Sequence, residues 1–349
     1  MNHKKPKEAH FLNRPTKPLP IDRDSSVAGL LEKMAGTSFQ GRSLGEAYQV
    51  WTNMLKDRTT IMMGMAGAMV PAGMRRLVAY MLKYRLIDCL VTTGANLFHD
   101  AHETLGRYHY QGSPTVDDEL LQDLMIDRMY DVYASEREFR NLDAYIGDFA
   151  ASLDNSRSYT TREFFYHLGK RLAEQATEDG IIVAAYKAKV PIYCPAIVDS
   201  SYGIAIASHR YLKGNTFHFD LVQDVVETAR LAAESKSTGV IYFGGGTPKN
   251  FIQQTEVTAA IMKANVAGHK YAMQVITDAA HWGGLSGCTF EEAQSWGKIM
   301  KGASRVTVHC DSTIAMPMLV TALAHRAKAI IKSRHKPEFG FGHELTIKA

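Results

Sequence analysis

Short apolar runs that stop at small or acidic residues, with helix-like stretches between them, constrain this chain more than any other feature. They are LIDCLVTTGAN at 86–96, VPIYCPAIVDSSYG at 190–203, GVIYFGGGTPKN at 239–250, YAMQVITDAA at 271–280 and VTVHCDSTIAMPM at 306–318. This pattern indicates an α/β fold built on a doubly wound, mainly parallel sheet. Upstream, VAGLLEKMAG (27–36) and SLGEAYQVWTNMLKD (43–57) carry apolar residues at helical spacing, which predicts a helical N-terminal region. The run TTIMMGMAGAMVPAGMRRLVAYML (59–82) begins strand-like and ends helical. Its Gly64, Gly67, Ala68 and Gly73 suit either a ligand's close approach or tight packing without one. The segment 106–160 breaks the rhythm and reads as a helical or irregular insertion.

Composition excludes several classes. The chain has 349 residues, 46% hydrophobic and 22% charged, as in ordinary soluble globular proteins. A formal charge of +4, with no basic stripe interleaved with aromatics, gives no case for nucleic acid. Cys89, Cys194, Cys288 and Cys310 are scattered without CxxC spacing, which fits a reducing compartment and argues against zinc. No run is long and apolar enough to span a bilayer, and the N-terminus has no signal-like apolar region, so a cytoplasmic protein without a membrane partner is expected.

The chemistry-bearing residues sit at strand ends and in one nine-residue stretch. EEAQSWGKI (291–299) sets Lys298 between Gly297 and Ile299, with Trp296, Glu291 and Glu292 just before it. A lysine among apolar neighbours loses solvation of its charged form, which lowers its pKa and frees an amine for nucleophilic attack. The acids and the indole suit a cationic amine. The plainer reading is a solvated lysine at a helix. Gly244, Gly245 and Gly246, after the apolar GVIYF, offer unhindered amides to a phosphate or ribose, although the pattern is not GxGxxG. Asp199 and Asp311 lie just beyond strand ends, where an acid binds a ribose or caps a helix. His99, Asp100, His102 and Glu103 share helical spacing, but no third cluster supports a metal, and none is expected.

EEAQSWGKI resembles the active-site segment of deoxyhypusine synthases, and four of the strand-end blocks flank it in that family's order over roughly residues 30–330. The resemblance implies a single Rossmann-like, NAD-binding catalytic domain at 26–335; the Pro- and Lys-rich residues 1–25 read as an extended arm before it, and 336–349 as a tail. It implies NAD contacts at Thr92, Thr93, Gly94, Asp199, Gly244, Gly245, Gly246, Thr277, Asp311 and Ser312, in a homotetramer with cofactor sites between subunits. It also implies that Lys298 takes an aminobutyl group from spermidine as a Schiff base, releases diaminopropane, and passes the group to an acceptor amine. The acceptor is a translation-factor lysine, giving deoxyhypusine, or a free diamine such as putrescine, giving homospermidine.

Glu292 and Trp296 keep the pattern of the amine pocket, and Asp278 is an additional acid. Other substrate-side positions depart from it: Leu285 and Ile204 replace acids, Asn250 replaces a histidine, and His99 replaces an acid near the nicotinamide. A charge-assisted hydrogen bond contributes about 1.5–3 kcal/mol. Losing two weakens a triamine by roughly two to four powers of ten, which leans towards the free diamine. Two other classes remain open: an NAD-binding relative without transfer activity, and an amine dehydrogenase that accumulates NADH.

Overall fold

The computed structural model describes residues 12, 14–21 and 26–348. Most of the expected arm lies outside the described residues. Its described part at 14–21 is exposed and irregular, tied by the Lys17 N–H to the Gly36 carbonyl at 2.9 Å.

Among the described residues two helices come first, α1 (Val27–Met34) and α2 (Phe39–Lys56), and lead into β1 (Thr60–Met65). A π-helical turn at Val70–Met74 then feeds α3 (Arg75–Lys83), β2 (Cys89–Thr92) and α4 (Gly94–Thr104). After an insertion come α7 (Thr161–Ala173), α8 (Ile181–Ala188), β6 (Ile192–Tyr193), α9 (Ser201–Lys213) and α10 (Leu221–Glu234). The remaining sheet strands are β7 (Thr238–Phe243), β8 (His269–Ile276) and β9 (Ile299–His309), connected by α11 (Gly246–Ile261) and α12 (Phe290–Ser295). Last come α13 (Ser312–Arg326), α14 (Lys328–Ser333) and a hairpin of β10 (Glu338–Phe341) and β11 (Leu345–Lys348).

The six sheet strands run parallel in the order β6-β2-β1-β7-β8-β9. Counted along the chain this is the 3-2-1-4-5-6 order of doubly wound dinucleotide-binding folds, and the order reverses between β1 and β7. Both faces are buried, which is why the runs are apolar without alternation. On one face Ile61, Met63 and Met65 pack with Trp51, Leu55, Met316 and Leu319; on the other Met62 packs with Val240, Tyr242, Ile252 and Phe290. At Gly64 an added Cβ would lie 2.9 Å from the Tyr242 ring, so that small residue serves packing rather than a ligand.

Two segments differ from expectation. The insertion at 106–160 contains an antiparallel three-stranded sheet: β3 (Tyr110–Gln111), β4 (Ile126–Met129) and β5 (Val132–Ser135), in the order β3-β5-β4. Two helices accompany it, α5 (Asp118–Asp123) and α6 (Glu136–Ser152). Within the expected tail at 336–349, residues 338–348 fold as the β10–β11 hairpin, whose Phe339 and Leu345 are buried in the second core. The Leu345 N–H donates to Glu227, which also pairs with the buried Arg162 at 2.6 Å. Beside the hairpin, buried Asp88 accepts the Ile61 N–H and pairs with Arg334 at 2.7 Å and Arg85 at 2.9 Å.

Candidate active site

Open α/β sheets take ligands beyond the carboxyl ends of their strands, at the point where strand order reverses. Here that edge is formed by Ala66 after β1 and Gly244 after β7. Gly244 has φ +78°, a region that favours glycine, and an added Cβ would sit 3.2 Å from the Ala66 carbonyl oxygen. Gly245 lies so close to the 277–289 loop that a Cβ would come within 2.5 Å of the Ser286 Cα. Two of the triplet's amides are engaged within the chain: Gly244 donates to Val275 O and Gly246 to Ser286 Oγ, both at 2.9 Å. The triplet therefore seats the 277–289 loop as well as bordering the switch.

That loop leads to the lysine cluster. α12 starts at Thr289, whose hydroxyl accepts the Glu292 N–H, and the chain after it turns through Trp296 and Gly297 into Lys298. Lys298 is about nine-tenths buried, with Nζ 5.4 Å from the Trp296 ring centroid. Its carbonyl accepts the His269 N–H, and its own N–H donates to Ala293 O, so two elements fix its backbone. Trp296 itself is mostly exposed and borders an open cavity of about 460 Å³ lined also by Val257, Ala260, Ile261 and Val266.

Lys249 joins this cluster, and the sequence reading passed over it. It is fully buried in the first turn of α11 and donates from Nζ to Gln274 Oε1 (2.9 Å), Ser286 O (3.1 Å) and Cys288 O (2.6 Å). Burial pulls its pKa down to about 8, against the opposing pull of Cys288 and Glu292, while Lys298 adds to the fall. Asp278 also acts on Lys249, and burial pushes the Cys288 thiol up, with Lys249 opposing and Glu292 adding to the rise. Five chemistry-bearing side chains — Lys298, Lys249, Glu292, Asp278 and Cys288 — thus interact in one region, with Trp296 over the first. The signal for Lys249 was available: a helix's first turn disfavours a cation unless it has specific acceptors.

At the far half of the edge, Thr92 is buried and donates its hydroxyl to Met65 O at 2.9 Å. Thr93 stands before α4 with a half-buried side chain, and Gly94 packs so tightly that a Cβ would fall 2.2 Å from Ser200 Oγ. Asn96, missed from sequence, ties both strand ends together through Nδ2 to Gly67 O and Thr93 Oγ1 and Oδ1 to the Val70 N–H. Asp199 is exposed, and α9 is capped by Ser200 instead, which leaves the Asp199 carboxylate open. At the other end Asp311 caps α13 through one oxygen to Thr313; Ser312 is buried beside it, and Thr277 is exposed just past β8.

These residues suit a dinucleotide in part. Open carboxylate oxygens at Asp199 and Asp311 and the exposed Thr277 fit sugar hydroxyls, whereas the glycine triplet offers less free backbone than its sequence promised. Of the substrate-side positions, Ile204 and Leu285 are exposed apolar residues and Asn250 is half-buried on α11 beside Lys249. His99 lies on α4, with β1 and β7 between β2 and β8, a separation of about 14 Å at typical strand spacing. One chain thus holds the candidate residues as two groups rather than one. Among the described residues no group of histidines, cysteines and acids is arranged to hold a metal ion, and no helix is long and apolar enough to cross a membrane.

The deoxyhypusine synthase family model matches residues 29–323. A Methanosarcina mazei protein named "probable deoxyhypusine synthase 2" is 50% identical over 333 residues, covering 95% of each chain. Its namesake from Methanosarcina acetivorans is 51% identical over 315 residues, covering 90% of each. A crystal structure of an Entamoeba histolytica protein assigned to the same kind of synthase superposes with a TM-score of 0.59 at 17% identity, covering 88% of this chain and 96% of that one, which speaks for the fold alone.

Proposed function

Because this chain belongs to the deoxyhypusine synthase family, whose members are transferases, we propose that it moves an aminobutyl group from spermidine through a Schiff base on Lys298 to an acceptor amine. The observation that carries the reading is Lys298 itself, nearly buried beside Trp296 and in a region shared with Glu292 and Asp278. An amine held away from water is a stronger nucleophile than a solvated ammonium, and the acids and indole suit a cationic donor.

NAD, bound along the carboxyl edge by Asp199, Asp311, Ser312, Thr277, Thr92, Thr93 and Gly94 with the Gly244–Gly246 turn beneath it, would supply hydride removal at the start and its return at the end. The chain's own part is nucleophilic. Lys298 attacks the imine carbon of the oxidised donor, diaminopropane leaves, and the acceptor amine displaces the lysine nitrogen. Arginine cannot replace Lys298, because a guanidinium stays protonated.

The exposed, apolar Ile204 and Leu285 weaken the hold on a triamine and favour a free diamine over a protein lysine as acceptor. Exposed Trp282, Trp296, Val198 and Ile204 around the two groups of site residues support a homotetramer, in which a second copy covers them and brings the groups together. The test is a product assay with NAD and spermidine, adding putrescine or a purified acceptor factor separately. Homospermidine or a labelled protein is expected, and Lys298→Ala lowers transfer at least a thousandfold. A Lys298→Ala protein that transfers at the wild-type rate sinks the covalent route; NADH accumulating beyond the enzyme concentration marks a dehydrogenase instead.

A further inference from the structure

His99 and His109 face each other with Nδ1 of the first 2.8 Å from Nε2 of the second. Two imidazole nitrogens at that distance share one proton, so one donates and the other accepts. Glu103 decides which. Its carboxylate, 2.7 Å from His109 Nδ1, only accepts, so it draws the His109 proton to Nδ1. In the neutral form of His109, Nε2 is then a lone pair, so His99 carries its proton on Nδ1 and His99 Nε2 is left as an acceptor. No other hydrogen bond engages His99 among the described residues, and its ring is partly exposed, so this lone pair is open to a ligand.

The surroundings keep the His99 side of the pair uncharged. Beside it stand His102 and Glu103 from α4, Glu138 and Phe139 from α6, Arg75 from α3 at 3.7 Å from Glu103, and Arg107 and Tyr108 from the loop after α4. The Phe139 ring contacts His99 and His102 edge-on at 5.3 and 4.8 Å between centroids. Burial, with His109 and His102 adding to it, holds the pKa of His99 down to about 3, and burial holds that of His102 to about 4. α4 itself begins at the carboxyl edge of the sheet, one strand from the switch, on the side where such sheets take ligands.

We propose that Glu103 and His109 are positioning residues that lock His99 in its Nδ1–H tautomer, so that Nε2 serves as an uncharged acceptor for an N–H of the amine substrate. This rests on the polyamine reading above. An uncharged acceptor selects an ammonium by the direction of its N–H rather than by attraction at a distance.

Two measurements test it. In protein labelled with 15N-histidine, the His99 signals, identified by their loss in His99→Gln, should show an unprotonated Nε2 and a protonated Nδ1 at pH 8. Calorimetric binding of spermidine to the NAD-loaded protein should weaken about 10- to 100-fold in His109→Phe, the range of one charge-assisted hydrogen bond. His109→Gln, whose amide oxygen can replace Nε2 as acceptor, should recover most of it. If His109→Phe does not fold, Glu103→Gln serves: its amide can donate to His109 and so mixes the two His99 tautomers. A wild-type His99 protonated on Nε2, unchanged spermidine affinity in His109→Phe, or a single unchanged tautomer in Glu103→Gln overturns the proposal. Intact spermidine binding without any product sinks the transfer reading alone.

Discussion

Lys249 offers a measurement of how much the amine cluster costs the fold. Its ammonium is fully buried, and its pKa falls from the ordinary 10.5 to about 8, with burial as the main cause. At about 1.4 kcal/mol per pH unit, keeping it charged costs the folded state about 3 kcal/mol at neutral pH. Three hydrogen bonds to Gln274, Ser286 and Cys288 oppose that cost, each contributing about 1.5–3 kcal/mol for a charged donor. Lys249→Met should therefore destabilise the protein by about 2–5 kcal/mol at pH 7.5, since the buried Gln274 Oε1 and the partly buried Cys288 O lose their donor and Ser286 O keeps only Gln274 Nε2. The pH dependence is sharper. Between pH 8 and 10.5 the unfolded chain binds more protons at this site than the folded one, so wild-type stability rises with pH through that window. Linkage gives about 2 kcal/mol between pH 7.5 and 9.5, and Lys249→Met loses this contribution. Urea unfolding of both proteins at the two pH values should thus show the gap between them widening by about 2 kcal/mol. A gap constant to within about 0.5 kcal/mol would mean that the lysine is solvated and the loop is held by other contacts.

Two further perturbations probe the frame and the pocket. Arg334→Met removes the nearest cation from buried Asp88 and leaves Arg85 as its ion-pair partner among the described residues, so a loss of about 3–5 kcal/mol in urea unfolding is expected. Burial raises the pKa of Asp88, but Arg334 and Arg85 outweigh it and hold the carboxyl below its usual value. The pair's stabilisation is thus present above the unfolded carboxylate pKa and fades as pH falls through the lower folded one; Arg334→Met should unfold at higher pH in an acid titration, and an unmoved midpoint would refute the pairing. Leu285→Asp returns an acid to a half-exposed position, where solvent screening limits the gain to about tenfold tighter spermidine binding by calorimetry; no change would place Leu285 off the polyamine path.

The sheet was legible because its strands are buried on both faces: each needs uninterrupted apolar residues, and Met62–Met63 or Val240–Ile241 have nowhere polar to point. The insertion was not, because β3 has two residues and β4 and β5 four each, too few to show alternation. The hairpin at 338–348 hid behind its charged residues, although Phe339 and Leu345 were there to anchor it. Of the site, Lys298 and its indole could be read from one segment. Lys249 could not be assigned partners, because two of its acceptors are backbone carbonyls 37 and 39 positions away. The His99–His109 contact was equally hidden, since His109 lies beyond the helix that carries the other two histidines.

The strand order also sets when this chain becomes safe to release. β1 is made early, yet its partner on one side, β7, begins only at Thr238. Until then the first half-sheet, β6-β2-β1, presents Thr60–Met65 as an apolar edge with unpaired amides and carbonyls, a template for another chain's strand. At translation rates of about 5–20 residues per second, that edge stays open for roughly ten seconds or more on each nascent chain. The seam at which sheets of this order take ligands is therefore, during synthesis, the line along which two unfinished copies can pair.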